Sequence, residues 1–88
     1  MKLDQLHYFS AAARLEHIGK AAKMLALSPS AVSHCIAQLE QELGQPLFVR
    51  DGKRMLLTSA GKRLAQRAEQ LLGEVAALKA ELSAVMPG

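Results

Sequence analysis

Ser30, Ser33, His34, Ala37 and Gln41 fall at i, i+3, i+4, i+7 and i+11. On a helix they share one face, opposite an apolar stripe of Val32, Ile36, Leu39 and Leu43. Hydroxyls, an imidazole and a carboxamide can there donate and accept hydrogen bonds. Ser28 and Pro29 lie just ahead of them, at a helix start whose unpaired backbone amides attract anions. A second group, Arg50, Lys53, Arg54 and Lys62, supplies cations suited to phosphate. The small side chains in the first two turns let such a helix approach a polar edge closely, so the pattern suits recognition rather than bond breaking.

Catalytic readings of the same residues do badly. Ser30 and His34 share a face, yet no acid lies near to orient the imidazole and no glycine-rich turn offers an oxyanion site. His34 and Cys35 are adjacent, so on a helix their side chains diverge by about 100° and cannot form a thiolate pair. His7, His17 and His34 are scattered over different elements beside a single cysteine, without metal-ligand spacing. The sequence therefore calls for no enzyme activity, no cofactor and no metal. Cys35 reads as a small apolar residue at the margin of the stripe, with a redox sensor as the sharper alternative.

Charge gains meaning when it is divided along the chain. Residues 1–44 carry four basic and four acidic side chains, residues 45–67 six basic against Asp51, and residues 68–88 one basic against three acidic. A modest net charge of +3 thus hides one concentrated basic segment, and polyanions are the expected partners. With 88 residues the chain holds one small domain, plus at most one extended element that cannot bury its own apolar stripe. No apolar run exceeds four residues, which argues against a signal peptide or a membrane span. A soluble, cytoplasmic protein held by noncovalent packing is expected.

Helix is the expected dominant structure, because Ala and Leu contribute 15 residues each whereas Val, Ile and Thr together contribute seven. Leu3, Leu6, Phe9 and Ala13 mark a first helix from about Asp4 to Leu15. Ile18, Ala21, Ala22 and Leu25 mark a short second one, with His17 as N-cap. Ser28-Pro29 opens a third helix and Gly44 ends it. The tight gap at Ala26–Ser28 makes helices two and three a helix-turn-helix pattern. LFVR and MLLT around Asp51-Gly52-Lys53-Arg54 then read as a β-hairpin.

Thr58 caps a last helix of about 28 residues, which would reach about 42 Å. That exceeds the small core beneath it. Leu64, Ala68, Leu71, Val75, Leu78, Leu82 and Val85 follow a 4, 3, 4, 3, 4, 3 spacing along it, a heptad seam that requires a partner helix. Gly73 lies off this seam and costs about 1 kcal/mol of helix propensity relative to Ala.

Taken in order and without a gap, these residues resemble the N-terminal DNA-binding domain of LysR-type bacterial transcriptional regulators over roughly residues 2–66. The resemblance rests on Leu3, Leu6 and Phe9; on Ala21-Ala22 and Leu25; and on Ser28, Ala31, Val32, Ser33, Ile36, Leu39, Glu40 and Leu43-Gly44. It continues through Leu47-Phe48, Arg50, Leu57-Thr58 and Ala60-Gly61. It implies a mainly α, winged helix-turn-helix fold of three helices plus a β-hairpin wing, followed by a long dimerising linker helix. Residues 1–58 would form the DNA-binding domain, 59–86 the linker helix and 87–88 the start of a hinge. Pro29, Ser30, Ser33 and His34 would face the bases, with Ser28 at the helix entry. Arg50, Lys53, Arg54 and Lys62 would meet phosphate or the minor groove.

Many relatives carry Arg or Lys at the positions of His34, Ala37 and Gln38, and this chain has none there. More of the affinity should therefore come from the wing and from pairing of subunits. The expected function is sequence-specific binding of double-stranded DNA at an inverted-repeat operator, as a homodimer, in bacterial transcriptional regulation. The family's small-molecule effector acts through a C-terminal domain absent here. A start at Met1 and a stop at Pro87-Gly88 suggest a truncated piece of a longer regulator, with a stand-alone binder as the alternative. The competing function is a protein-interaction adaptor recruiting partners through the coiled coil. Membrane attachment is disfavoured, because the basic residues cluster at one end of the long helix.

Overall fold

Each helix is delimited by local chemistry visible in the chain. The computed structural model describes residues 1–85. Helix α1 (Leu3–Leu15) opens with Gln5 reaching back, its Oε1 accepting from the Lys2 amide at 2.9 Å. It closes on Glu16, which adopts a left-handed φ of 52°. The very next residue starts another helix: His17 Nδ1 accepts from the Lys20 amide at 3.1 Å and caps α2 (Ile18–Leu25). Ser28 Oγ accepts from the Ala31 amide at 3.1 Å, and Pro29 occupies the first turn of α3 (Pro29–Leu43), where no donor is missed. Gly44, with φ of 68°, ends α3 in a conformation that glycine reaches without a Cβ penalty.

Strands β1 (Phe48–Asp51) and β2 (Arg54–Leu57) pair antiparallel, with Phe48 opposite Leu57 and Arg50 opposite Met55. Gly52, with φ of 62°, turns the hairpin. The β2 edge also meets the α1–α2 corner, where the Met55 amide donates to the Glu16 carbonyl at 3.0 Å. Thr58 then serves two neighbours: its hydroxyl donates to the Pro46 carbonyl at 2.7 Å and accepts from the Gly61 amide at 3.0 Å. Helix α4 (Ser59–Val85) starts from that knot.

The core lies where α1, α2, α3 and the hairpin converge, around Phe9, Val32, Leu39, Leu47, Phe48 and Met55. The Phe9 and Phe48 rings meet tilted, with centroids 5.4 Å apart. Ala12, Ala21 and Ala22 are also buried, and their small side chains let α1, α2 and α3 cross closely. Helix α4 packs along α1 through its first turns, with Leu64 and Ala65 against the core and Ala68 fully buried.

Four expectations change. Leu43 is 38% exposed, because the last turn of α3 runs past the core. Leu3 is 47% exposed, and α1 buries Ala11 and Ala12 beside the expected Leu6 and Phe9. Arg54 sits in β2 rather than in the turn, and Leu47 precedes β1. Ala68 belongs to the core of its own protomer instead of a seam facing a partner. Residues 86–88, which hold the expected end of the linker helix and start of the hinge, lie outside the described residues.

Candidate nucleic-acid interface

Helix α3 presents the face that its spacing demands. Ser30, His34, Ala37 and Gln41 are exposed and Ser33 is half-buried, while Val32, Ile36 and Leu39 point into the core. Ser28 and Pro29 are exposed at the helix entry. The Ser28 hydroxyl, however, is occupied by the Ala31 amide and lies 3.2 Å from Ser30 Oγ. Its first duty is capping. His34 carries no protein hydrogen bond among the described residues, and its ring is open to an incoming ligand.

The hairpin adds its cations from one side. Side chains alternate along a strand, so Arg50 points to the same side as Phe48, toward α3. Its Nη2 donates to Ser33 Oγ at 3.1 Å. Ser33 and Arg50, assigned to separate groups from the sequence, thus form one unit. Lys53 stands exposed at the tip of the hairpin.

Arg54 behaves differently. Its Nη2 lies 2.6 Å from Glu16 Oε2, an exposed ion pair across the α1–α2 corner. An exposed pair of this kind is worth at most about 1 kcal/mol, yet it neutralises a cation expected to face phosphate. Glu16 was missed as its partner, since 38 residues separate the two in sequence.

Lys62 is exposed on the first turn of α4 and borders a shallow groove with Ser59, Arg63, Gln66, Arg67 and Gln70. Arg63 and Arg67 stand one helical turn apart, so this cationic strip was legible from i, i+4 spacing. Glu40 was noted only through the resemblance. Its Oε2 accepts from the Leu47 amide at 2.7 Å and the Phe48 amide at 3.4 Å, tying α3 to β1.

Along α4, Leu64 is half-buried in its own protomer, Val75 is half-buried, and Leu71, Leu78, Leu82 and Val85 are 42%, 52%, 60% and 70% exposed. These exposed apolar side chains recur at the heptad spacing along the helix. Cys35 is buried, and burial together with the Asp4 charge pushes its thiol above the usual range, the opposite of a reactive thiolate. Among the described residues no cluster of three or more His, Cys, Asp or Glu is placed to hold a metal ion, and no helix is long and apolar enough to cross a membrane.

Residues 3–62 match the family described as bacterial regulatory helix-turn-helix protein, lysR family. The chain is 38% identical to the uncharacterized HTH-type transcriptional regulator YybE of Bacillus subtilis (strain 168), over 98% of the chain and 30% of YybE. It is 52% identical to the HTH-type transcriptional regulator DsdC of Escherichia coli (strain K12), over 72% of the chain and 20% of DsdC. It therefore spans less than a third of the length of these relatives. Among solved structures it is similar to BenM_DBD in complex with catB site 1 DNA, with a TM-score of 0.95 and 31% identity, covering 100% of this chain and 99% of that one. It is also similar to full-length CbnR complexed with its target DNA, with a TM-score of 0.85 and 32% identity over 94% of this chain and 28% of that one. With a family match over most of its length and a shared winged helix-turn-helix architecture, the chain belongs to the LysR family of bacterial regulatory helix-turn-helix proteins.

Proposed function

We propose that the chain is the DNA-reading part of a LysR-type transcriptional regulator and binds double-stranded DNA as a homodimer at an inverted-repeat site. One observation carries the reading: the polar start of α3 and the cationic hairpin form a continuous surface, joined at Ser33 and Arg50. A helix start of this shape fits the major groove, with Pro29, Ser30, Ser33 and His34 toward base edges. Lys53 and Lys62 suit the flanking phosphates, which position the protein without reading sequence. DNA complexes of two similar chains support the same orientation of function.

The dimer is proposed through α4. Leu71, Val75, Leu78, Leu82 and Val85 leave an apolar stripe that a second α4 would cover, and Leu64 continues it into the protomer. Pairing would fix the separation of two α3 helices, so that the scaffold reads half-site spacing and the side chains read base identity. A small-molecule effector would act through a domain outside this chain. The role implies a place in the bacterial cytoplasm, at the nucleoid.

Binding to duplexes selected from a randomised pool, titrated against salt, tests the proposal. If the dimer neutralises six to ten phosphates, affinity falls by about 10³ to 10⁵ between 50 and 200 mM salt. Replacing Leu71 and Leu78 by Asp should reduce specific binding far more than nonspecific binding. A flat salt response would instead favour a protein-interaction adaptor.

A further inference from the structure

We propose that His17 is a proton-sensitive cap: its neutral ring closes the start of α2, and protonation releases it, so that the corner between α1 and α2 loosens in mild acid. The inference rests on the fold alone and holds whatever ligand the chain binds. His17 Nδ1 accepts from the Lys20 amide at 3.1 Å, a bond that needs a lone pair on Nδ1. A neutral imidazole keeps that lone pair when its hydrogen sits on Nε2. An imidazolium carries hydrogens on both nitrogens and accepts nothing. The caps made by Ser28 and Thr58 have no such dependence, because a hydroxyl oxygen accepts at any ordinary pH.

Sequence and packing hold the ring in this role. A Cβ on Gly19 would stand 3.1 Å from His17 Cε1 and 3.4 Å from Nδ1, so a larger residue there would crowd the ring. The backbone of His17 is extended, with φ of −154°, and bridges to Arg54 in β2. Its carbonyl accepts from the Ala21 amide at 3.0 Å. Helix α2 has eight residues, too few to persist alone, and no acidic side chain in its first turn. Its start therefore depends on the one ring that caps it.

The charged neighbours act in the same direction. Arg14 and Glu16 from the end of α1, Lys20 from α2 and Arg54 from β2 line one groove with His17. The Glu16 carboxylate is already engaged by Arg54 at 2.6 Å. A proton on His17 adds charge to a corner that holds three cations against one carboxylate, and adds it at the positive end of the α2 dipole. Loss of the cap bond, repulsion and the dipole all oppose the charged ring in the folded corner. Stability is therefore complete at neutral pH and declines as imidazoles charge in mild acid. The same corner seats the hairpin, since the Met55 amide donates to the carbonyl of Glu16, the residue before the cap.

The test compares the intact chain with His17→Asn, whose carboxamide oxygen caps at every pH. Urea unfolding of both is measured at about pH 7.5 and about pH 5.5, the interval in which an imidazole gains its charge. His7 and His34 are present in both proteins and drop out of the comparison. Between the two conditions the intact chain should lose about 5-fold more of its folding equilibrium constant than the variant, the worth of one helix cap. Two nuclear magnetic resonance measurements need no variant and decide the matter if His17→Asn does not fold. At neutral pH the ring nitrogens of His17 should show the hydrogen on Nε2. On acidification the Lys20 amide proton should move upfield as its hydrogen bond is lost, while that of Ala31, capped by Ser28, stays in place. Equal pH dependence of the two proteins, a hydrogen on Nδ1 at neutral pH, or a Lys20 amide indifferent to acid would overturn the proposal.

Discussion

The Glu40 carboxylate accepts the Leu47 amide at 2.7 Å and the Phe48 amide at 3.4 Å, tying the helix that carries Ser33 to the strand that carries Arg50. Leu47 has 1% exposure, so its amide has little access to water. A hydrogen bond to a charged group contributes about 1.5 to 3 kcal/mol. Glu40→Ala should therefore lower unfolding free energy by about 2 kcal/mol in urea denaturation. Glu40→Gln should lose less, because its carboxamide oxygen still accepts.

Two glycines of α4 should respond in opposite directions. A Cβ on Gly61 would stand 2.1 Å from the Leu47 carbonyl oxygen, and backbone must shift to admit it. A Cβ on Gly73 meets nothing within 4 Å. Gly73→Ala should stabilise the protein by about 0.5 to 1 kcal/mol through helix propensity. Gly61→Ala should destabilise it despite the same propensity gain, and thermal denaturation of the pair reads the contrast.

Position along α4 should separate folding from association. Leu78→Asp with Leu82→Asp removes apolar surface that the protomer leaves exposed, so sedimentation should report a monomer with helical content largely kept. Ala68→Leu forces bulk into a fully buried site and should cost the protomer about 1 to 3 kcal/mol by overpacking.

Salt dependence should rank the cations. Lys53→Ala and Lys62→Ala should each reduce the slope of log affinity against log salt by about 1, the signature of one lost phosphate contact. Arg54→Ala should reduce it less, because Glu16 already neutralises that guanidinium. Glu16→Gln should strengthen nonspecific binding by releasing it.

Cys35 should be sheltered in the native state. Burial, and after it the Asp4 charge, raises its pKa above the ordinary 9.0. The unfolded thiol therefore ionises first as pH rises past 9.0, and stability falls there while remaining complete below it. Thiol-reagent labelling should be slow until the chain unfolds. Cys35→Ala should remove the part of the alkaline stability loss that belongs to the thiol.

What the amino-acid order determined by itself was everything governed by neighbours a few residues apart. His17, Ser28 and Thr58 cap the helices they precede, Gly44 ends α3, Gly52 turns the hairpin, and the polar face of α3 follows from a 3.6-residue period. Tertiary structure decided the pairings whose members are far apart in the chain. Arg50 and Arg54 look alike in sequence, four residues apart in one basic run, yet strand alternation and hairpin placement send one to Ser33 and the other to Glu16. Ala68 looks like any other heptad position until α1 is laid against it. Helical and turn signals act through bonds that close within a turn, whereas a side chain's partner depends on which surfaces the packed core brings together.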